Sequence, residues 1–193
     1  QNRVLVDHTA ELLFCPTETA MYNLASEGLE ERAFFTGDVM YDAALLFGAH
    51  ADTRSVPQAL HTQIGEYFLA TLHRQYTVDD QSRLTAAMRI FGTLRRPVVM
   101  PLHPRTAIRL RDMNIAVPAN VRIIEPMGYL DFMSVLRQTR MVLTDSGGVQ
   151  KEAYFHGIPC ITLRPETEWI ETVDAGWNRV LDLDGDLIRE ATK

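Results

Sequence analysis

MVLTDSGGVQKE, residues 141–152, reads as a short strand that turns directly into a helix. Its first four residues are apolar or β-branched without polar alternation, which is typical of a strand covered on both faces of a parallel sheet. The turn after Thr144 offers free backbone N–H groups and the positive end of a helix dipole, and both favour an anion. Ser146, Gly147 and Gly148 are therefore candidate phosphate ligands. The alternative is an ordinary turn in which Ser146 only caps the helix.

The same succession of strand and helix extends along the whole chain. Apolar runs predict strands at residues 12–15, 34–36, 67–73, 98–103, 121–124, 141–144, 160–163 and 180–183. Helical spacing predicts helices at residues 38–47, 80–94 and 129–139, a short helix after Pro57, and another helix that begins at the turn of residues 145–148. This order predicts an α/β fold with a parallel sheet. In such sheets ligands bind at the carboxyl ends of the strands.

The composition excludes several classes of protein. Of the 193 residues, 46% are hydrophobic and 23% are charged, as in folded globular domains. The 19 Lys and Arg against 25 Asp and Glu give a net charge of −6, which argues against a nucleic-acid partner. The apolar runs fall short of the ~20 residues of a membrane helix, so no membrane association is predicted.

The cysteines and the first residue bear on the compartment. Cys15 and Cys160 lie far apart without metal-ligand spacing, so neither a disulfide nor a zinc site is predicted, and no other metal or redox cofactor is indicated. A reducing cytoplasm fits this pattern best. Gln1 opens no signal peptide. Because the chain enters mid-pattern without a Met, we expect a further segment upstream of Gln1.

Three more residues are candidates for a site near the glycine turn. Glu152 lies one turn inside the helix, where its carboxylate can accept both hydroxyls of a ribose. The alternative is a solvated helix charge. His73 and His103 end two predicted strands at equivalent places, so both are expected to project above the sheet and to bind phosphate or transfer a proton. Structural histidines are the alternative for both.

Two further segments carry candidates with strong structural alternatives. Phe132 could stack on a base, although its spacing with neighbouring apolar residues also suits the core face of a helix. LRPETEWIETVDAGWN, residues 163–178, carries Arg164 and several acidic residues just beyond a strand. These acidic residues could bind sugar hydroxyls or move protons. They could equally form the first turn of a helix capped by Thr167.

Taken together, the ordered motifs resemble the non-hydrolysing UDP-N-acetylglucosamine 2-epimerase family. The motifs are PTETAMYNLASEGL, FFTGDVMYDA, TLHR, PLHPRT, EPMGYLDF, TDSGGVQKEA, GIPCITLR and TEW. The resemblance implies two Rossmann-like domains that face each other across a cleft, as in GT-B glycosyltransferases. Residues 1–37 are then a remnant of the N-terminal domain, and residues 38–193 form the C-terminal, UDP-binding Rossmann-like domain, with helices on both faces of its parallel sheet.

The resemblance also implies roles for residues. Diphosphate binding falls to Ser146, Gly147 and Gly148, ribose binding to Glu152, and uracil binding to Phe132 with the backbone near Met127. His73 reaches the phosphate and assists departure of the nucleotide, while His103 and Arg164 line the same cleft. The implied substrate is a UDP-sugar, the implied assembly is a homodimer, and no cofactor is implied.

The implied reaction inverts C2 of the sugar. A base removes the C2 proton while UDP leaves, and UDP then adds back to the glycal in the other configuration. The acid and base carboxylates of the family lie in the N-terminal domain, outside this chain. We therefore expect residues 1–193 to bind UDP weakly at best and not to catalyse the reaction, because proton transfer needs a group within reach of the substrate.

The chain departs from the family pattern at four positions that bear on specificity. Tyr76 and Thr77 replace an acidic residue and an Asn, Lys151 replaces the first of two glutamates, and Trp169 replaces an Arg. Relatives that act on UDP-diacetamido uronic-acid sugars are similar to the Trp version, so their substrate is one alternative. A hydrolysing epimerase, a GT-B glycosyltransferase and a non-catalytic UDP-binding module are the others.

Overall fold

The computed structural model describes residues 2–52, Leu60 and 62–193, and the chain divides into two compact units. The first unit is Gln1–Leu46 and the second is Phe47–Lys193. Their boundary lies inside the helix Val39–Asp52, beyond the turn at Gly37 where the sequence marks a break. The division into domains 1–37 and 38–193 stays a prediction. The helix predicted after Pro57 lies outside the described residues.

The strands that the structure describes are β1 (Leu13–Cys15), β2 (Ala33–Phe35), β3 (Phe68–Thr71), β4 (Val98–Pro101), β5 (Val121–Ile124), β6 (Met141–Thr144), β7 (Cys160–Thr162) and β8 (Asn178–Val180). The α-helices that it describes are α1 (Asn2–Thr9), α2 (Glu18–Ser26), α3 (Val39–Asp52), α4 (Gln75–Val78), α5 (Gln81–Gly92), α6 (Pro104–Asp112), α7 (Tyr129–Arg137), α8 (Gly147–Phe155), α9 (Ile170–Asp174) and α10 (Gly185–Ala191).

In the second unit, six strands form one parallel sheet in the spatial order β5-β4-β3-β6-β7-β8. The chain begins this sheet at β3 in the middle, builds outward to β5, and then returns to place β6 on the other side of β3. The strand order therefore reverses between β3 and β6, which is where ligands bind in open α/β sheets. This Rossmann-like sheet confirms the predicted fold class.

Helices cover both faces of this sheet. On one face, side chains such as Phe68 and Met100 pack against α5, α6 and α10. On the other face, the alternate residues Leu69 and Val99 pack against α7 and α8. Because successive residues of a strand point to opposite faces, a strand buried on both sides must be apolar throughout. The four-residue runs in the sequence have this composition.

The first unit is small. β1 and β2 pair in parallel, with Leu13 opposite Ala33 and Cys15 opposite Phe35. A small cluster that includes Leu24 from α2 and Leu29 packs against the pair. Phe14 and Phe35 remain exposed.

Element bounds depart from the sequence predictions at several places. The last strand is Asn178–Val180, two residues before the predicted start at 180, because Asn178 pairs with Cys160 and Asp182 turns the chain with a positive φ. β3 and β4 end before the predicted histidines, because Arg74 and His103 begin helices there. The sequence analysis also missed α1, α2, α4, α6 and α10.

Candidate functional site

The carboxyl ends of β3 and β6 meet at the point where the strand order reverses. Thr71 pairs with Thr144 in the ladder, and their hydroxyl oxygens are 2.5 Å apart. The chain continues from β3 into His73 and from β6 into Asp145. The two segments that the sequence marks as functional, TLHR and TDSGG, are therefore neighbours in space although about 70 residues separate them in the chain.

Asp145 ties these two segments together. Its side chain is fully buried and its carboxylate accepts hydrogen bonds from the backbone N–H groups of His73, at 3.1 Å, and Arg74, at 3.0 Å. A buried carboxylate needs such donors, because burial without them is costly. Asp145 therefore fixes the backbone of the His73 segment relative to the glycine turn. The sequence analysis did not single it out, since its partners lie far away in the chain.

The glycine turn forms the N-terminus of α8 as predicted. Ser146 is the N-cap residue, and its hydroxyl accepts a hydrogen bond from the Val149 N–H at 3.5 Å. The capping role that competes with phosphate binding is thus present in the structure. It occupies one N–H group of the first turn. The N–H groups of Gly147 and Gly148, the first two residues of the helix, have no acceptor within a helix and stay suited to an anion.

His73 and His103 lie side by side, with ring centroids 6.4 Å apart. His103 is the N-cap of α6, and its Nδ1 accepts the Arg105 N–H at 3.2 Å, so it has the structural role that the sequence left open. Burial, opposed by the Asp145 carboxylate, lowers the pKa of His73. Its Nδ1 lies 3.5 Å from an oxygen of Asp145. If neutral His73 carries its proton on Nδ1, which faces Asp145, its Nε2 is unprotonated and can accept a hydrogen bond.

Arg164 reaches the same region through an ion pair. Its Nη1 lies 2.9 Å from Oε2 of Glu168, and Nη2 of Arg74 lies 3.6 Å from Oε1 of the same carboxylate. Arg105, which lies two residues after His103, pairs instead with Asp79. Two arginines, one after β3 and one after β7, thus converge on one carboxylate.

Glu152 lies on α8 one turn beyond Gly148 and is largely buried. Burial raises the pKa of its carboxyl group to about 7. Tyr129, the first residue of α7, lies close enough that the Glu152 charge adds to burial in raising the pKa of the phenol. Because strongly shifted pKa values cluster at functional sites, this shift keeps Glu152 a candidate site residue.

Met127 and Phe132 are partly buried and pack against the hydrophobic cluster between α7 and the sheet. This packing agrees with the structural alternative for Phe132, whose helical spacing faces the core. The predicted contact of both residues with uracil stays a prediction. Tyr129 lies on the same helix as Phe132 and near Glu152, so this segment adjoins α8.

A buried polar network behind α8 was also missed by the sequence analysis. Oε1 of Gln150 accepts hydrogen bonds from the Thr167 hydroxyl at 2.6 Å and from the Asn178 amide at 3.2 Å. The amide of Asn178 also donates to the Thr172 hydroxyl and its carbonyl accepts from Thr162. The network links α8 to the segment that carries Glu168. Thr167 supports that segment, although the N-cap of α9 is Trp169 and not the predicted Thr167.

Two departures from the family pattern, Lys151 and Trp169, are in contact. Nζ of Lys151 lies 4.0 Å from the centroid of the Trp169 ring, which is the geometry of a cation–π interaction. The Lys151 side chain is buried. Burial lowers the pKa of its amine, against the charge of Glu171, which raises it.

Within residues 2–52, Leu60 and 62–193, no group of three or more His, Cys, Asp or Glu side chains is arranged to hold a metal ion. In the same part of the chain, no helix has the length and apolar character needed to cross a membrane.

The comparison of sequences shows which proteins this chain is similar to. The sequence model of the family described as UDP-N-acetylglucosamine 2-epimerase matches residues 1–193. The chain is 42% identical to the UDP-2,3-diacetamido-2,3-dideoxy-D-glucuronate 2-epimerase of Pseudomonas aeruginosa, over 100% of this chain and 54% of that protein. It is 40% identical to the UDP-N-acetylglucosamine 2-epimerase of Methanocaldococcus jannaschii, over 92% of this chain and 52% of that protein. The chain thus spans about half the length of these curated relatives.

The comparison of structures gives the same result. The crystal structure of the M. jannaschii UDP-GlcNAc 2-epimerase in complex with UDP-GlcNAc and UDP matches with a TM-score of 0.90 and 38% identity, over 98% of this chain and 55% of that one. The UDP-GlcNAc 2-epimerase of Neisseria meningitidis bound to UDP-GlcNAc matches with a TM-score of 0.84 and 28% identity, over 98% and 54%. The resemblance read from the motifs is confirmed, and the coverage is consistent with half of a GT-B-like enzyme.

Proposed function

Because this chain belongs to the UDP-N-acetylglucosamine 2-epimerase family, we propose that it holds the UDP portion of a UDP-amino sugar in an isomerase that inverts C2 of that sugar. The observation that carries the proposal is the turn Ser146, Gly147 and Gly148 at the reversal of strand order, with His73 fixed beside it through Asp145. Backbone N–H groups at a helix start, next to a histidine, suit a diphosphate.

With the diphosphate at the glycine turn, the ribose and uracil of UDP extend along α8 and α7. Glu152, one turn along α8, accepts the ribose hydroxyls, and the segment from Met127 to Phe132 binds the uracil. His73 reaches the phosphate and assists departure of the nucleotide. Burial lowers its pKa, but the negative charge of a bound diphosphate would favour the imidazolium form. His103 and Arg164 line the same cleft. Support comes from the 6.4 Å separation of the two histidine rings and from the position of Arg164 near the turn.

In the proposed reaction a base removes the C2 proton while UDP leaves, and UDP then adds to the other configuration of the glycal. The acid and base are carboxylates of an N-terminal domain in the same polypeptide, and the enzyme is a homodimer. Such an isomerase supplies amino-sugar nucleotides for polysaccharide synthesis in the cytoplasm.

A titration of the protein with UDP by calorimetry tests the binding site. Ser146→Asp places a carboxylate against the diphosphate and is expected to weaken UDP binding severely. Glu152→Ala is expected to weaken binding of UDP more than binding of pyrophosphate, since only UDP carries the ribose. Glu190→Ala, on the exposed face of α10, serves as the control. Unchanged UDP affinity in both site variants would exclude this assignment of the site.

A second candidate substrate is a UDP-2,3-diacetamido uronic acid. It is favoured by the 42% identity to the P. aeruginosa enzyme of that name and by Trp169 in the TEW motif. The complete polypeptide should be given this compound and UDP-N-acetylglucosamine in parallel, with product analysis by NMR. Retention of UDP on an epimerised sugar supports the proposal, and the faster substrate identifies the sugar. Free sugar with free UDP indicates a hydrolysing epimerase, transfer to an acceptor a glycosyltransferase, and no turnover a binding module.

A further inference from the structure

The Glu168 carboxylate lies against the first residue of α8. Its Oε1 is 2.2 Å from the position that a Cβ atom on Gly147 would occupy. A side chain at position 147 would therefore require this carboxylate to move away. The N-terminus of a helix stabilises a negative charge placed there. Glu168 thus uses the same electrostatic feature that the proposed function assigns to the diphosphate.

The cations of the site are paired with the same carboxylate. Arg164 contacts Oε2 of Glu168 at 2.9 Å, and Arg74 lies 3.6 Å from Oε1. Glu168 is still 41% exposed at its side chain, so it can swing out into solvent without unfolding the segment. A phosphate group at this position would be repelled by the Glu168 carboxylate. It would also compete with that carboxylate for Arg74 and Arg164.

The indole N–H of Trp169 also lies next to Gly147, the first residue of α8. Its Nε1 is buried, has no hydrogen-bond acceptor within the described residues, and lies 3.1 Å from the Cβ position on Gly147. A buried donor without an acceptor is destabilising, so such groups are rare unless a ligand or water satisfies them. Nζ of Lys151 lies 4.0 Å from the centroid of the indole ring, so a cation–π interaction restrains the ring. The donor is thus fixed in place beside the helix start.

We propose that Glu168 is an internal competitor for the phosphate position. The ligand phosphate displaces the Glu168 carboxylate from the start of α8, pairs with Arg74 and Arg164, and accepts the hydrogen bond of the Trp169 indole. Glu168 thereby sets the affinity of the site for phosphate-bearing ligands and opposes the entry of weaker anions. This inference rests on the proposed UDP site.

Two substitutions with opposite expected effects test it. Glu168→Gln keeps the size of the side chain and removes its charge, so UDP and pyrophosphate should bind about threefold to fivefold tighter, the scale of an exposed ion pair. Trp169→Phe keeps an aromatic ring over Lys151 and removes the N–H, so both ligands should bind about tenfold weaker, the scale of one hydrogen bond to a charged group. Calorimetry with UDP, pyrophosphate and uridine gives the affinities, and uridine should respond to neither change.

Matched controls are Glu190→Gln, which removes one carboxylate from α10, and Trp177→Phe, which changes the other tryptophan. Both should bind UDP as the unmodified protein does, and circular dichroism should show that all four variants are folded. If the unmodified protein binds UDP and Glu168→Gln binds it equally or more weakly, the competitor role is wrong. If Trp169→Phe binds UDP and pyrophosphate unchanged, the indole donates to neither. If the unmodified protein binds neither ligand, the proposed function fails and this inference fails with it.

Discussion

At the scale of single residues, Glu152 combines a buried position with an ionisable carboxyl group on the helix that starts at the glycine turn. Burial raises its pKa from the ordinary value of 4.5 to about 7. Between these two values the folded protein holds a proton that the unfolded chain has released. The free energy of unfolding must therefore fall as pH rises through this window, and the loss is complete above about pH 7. Above about pH 7 the folded protein is therefore less stable, because it holds a charged Glu152 carboxylate in a largely buried position. We propose that this carboxylate binds the ribose.

We expect Glu152→Gln to remove this pH dependence. At pH 8 the variant should be more stable than the unmodified protein by about 2 kcal/mol, while at pH 4.5 the two should be nearly equal. Urea unfolding at pH values from 4.5 to 8 measures the difference, and all other titrating groups cancel between the two proteins. A difference in stability that does not change with pH would show that the pKa of Glu152 is not raised in the folded state.

Asp145 shows at the same scale how one buried side chain positions others. Its carboxylate accepts the N–H groups of both His73 and Arg74. We propose that His73 assists on the phosphate, and Arg74 pairs with Glu168. The geometry of both therefore depends on a residue that we do not expect to contact the ligand. We infer that Asp145 is a positioning residue. The two N–H groups that donate to its carboxylate partly offset its negative charge beside the proposed phosphate position.

At the scale of elements, the unit formed by β6, the turn and α8 could be predicted from its own residues. A strand buried on both faces, an N-cap serine and two glycines are each local properties, and they occur in order within residues 141–148. The bounds of β5 and β6 follow the sequence prediction residue for residue. The position of the glycine turn at the start of α8 therefore follows from the sequence alone.

The remainder of the site depends on contacts between distant segments. The Gln150 amide meets Asn178, which is 28 residues away, and Asp145 meets His73, which is 72 residues away. No periodicity records such pairs, because each partner alone is an ordinary polar residue. The same reason explains the misplaced last strand, whose register is set by Asn178 inside the polar network and not by the apolar residues from Val180 onward.

The network joins α8 to the segment that carries Glu168 and Trp169, so we expect Asn178→Leu to affect both stability and binding. It leaves the hydroxyls of Thr162 and Thr172 without their amide partner in a buried place, which should cost about 2 to 3 kcal/mol. UDP affinity should fall as well, because α8 and this segment lose their connection. Gln75→Leu, an amide-to-leucine change at an exposed position, is the control. Urea unfolding and UDP titration give the two values, and a stable variant with normal UDP binding would contradict the linking role.

At the scale of the whole molecule, the two units differ in how well each buries its apolar surface. The six-stranded sheet is covered by helices on both faces. The pair β1 and β2 has three residues in each strand and leaves Phe14 68% and Phe35 59% exposed. A two-stranded sheet is marginally stable by itself, and parallel strands are normally covered on both faces. This contrast is consistent with the prediction that residues 1–37 are a remnant of an N-terminal domain.

We therefore expect residues 38–193 to fold and to bind UDP without residues 1–37. Both hydrophobic clusters of the six-stranded sheet, and every residue assigned to the UDP site, lie within this segment. By circular dichroism the shortened protein should unfold in one cooperative transition. Its UDP affinity should lie within about twofold of that of residues 1–193. It should bind less of a hydrophobic dye, because the exposed Phe14 and Phe35 are absent. The control is Ser146→Asp in the shortened protein, which should lose UDP binding as it does in the longer one. Loss of cooperative unfolding, or loss of UDP binding in a folded protein, would show that residues 1–37 are an integral part of the nucleotide-binding domain.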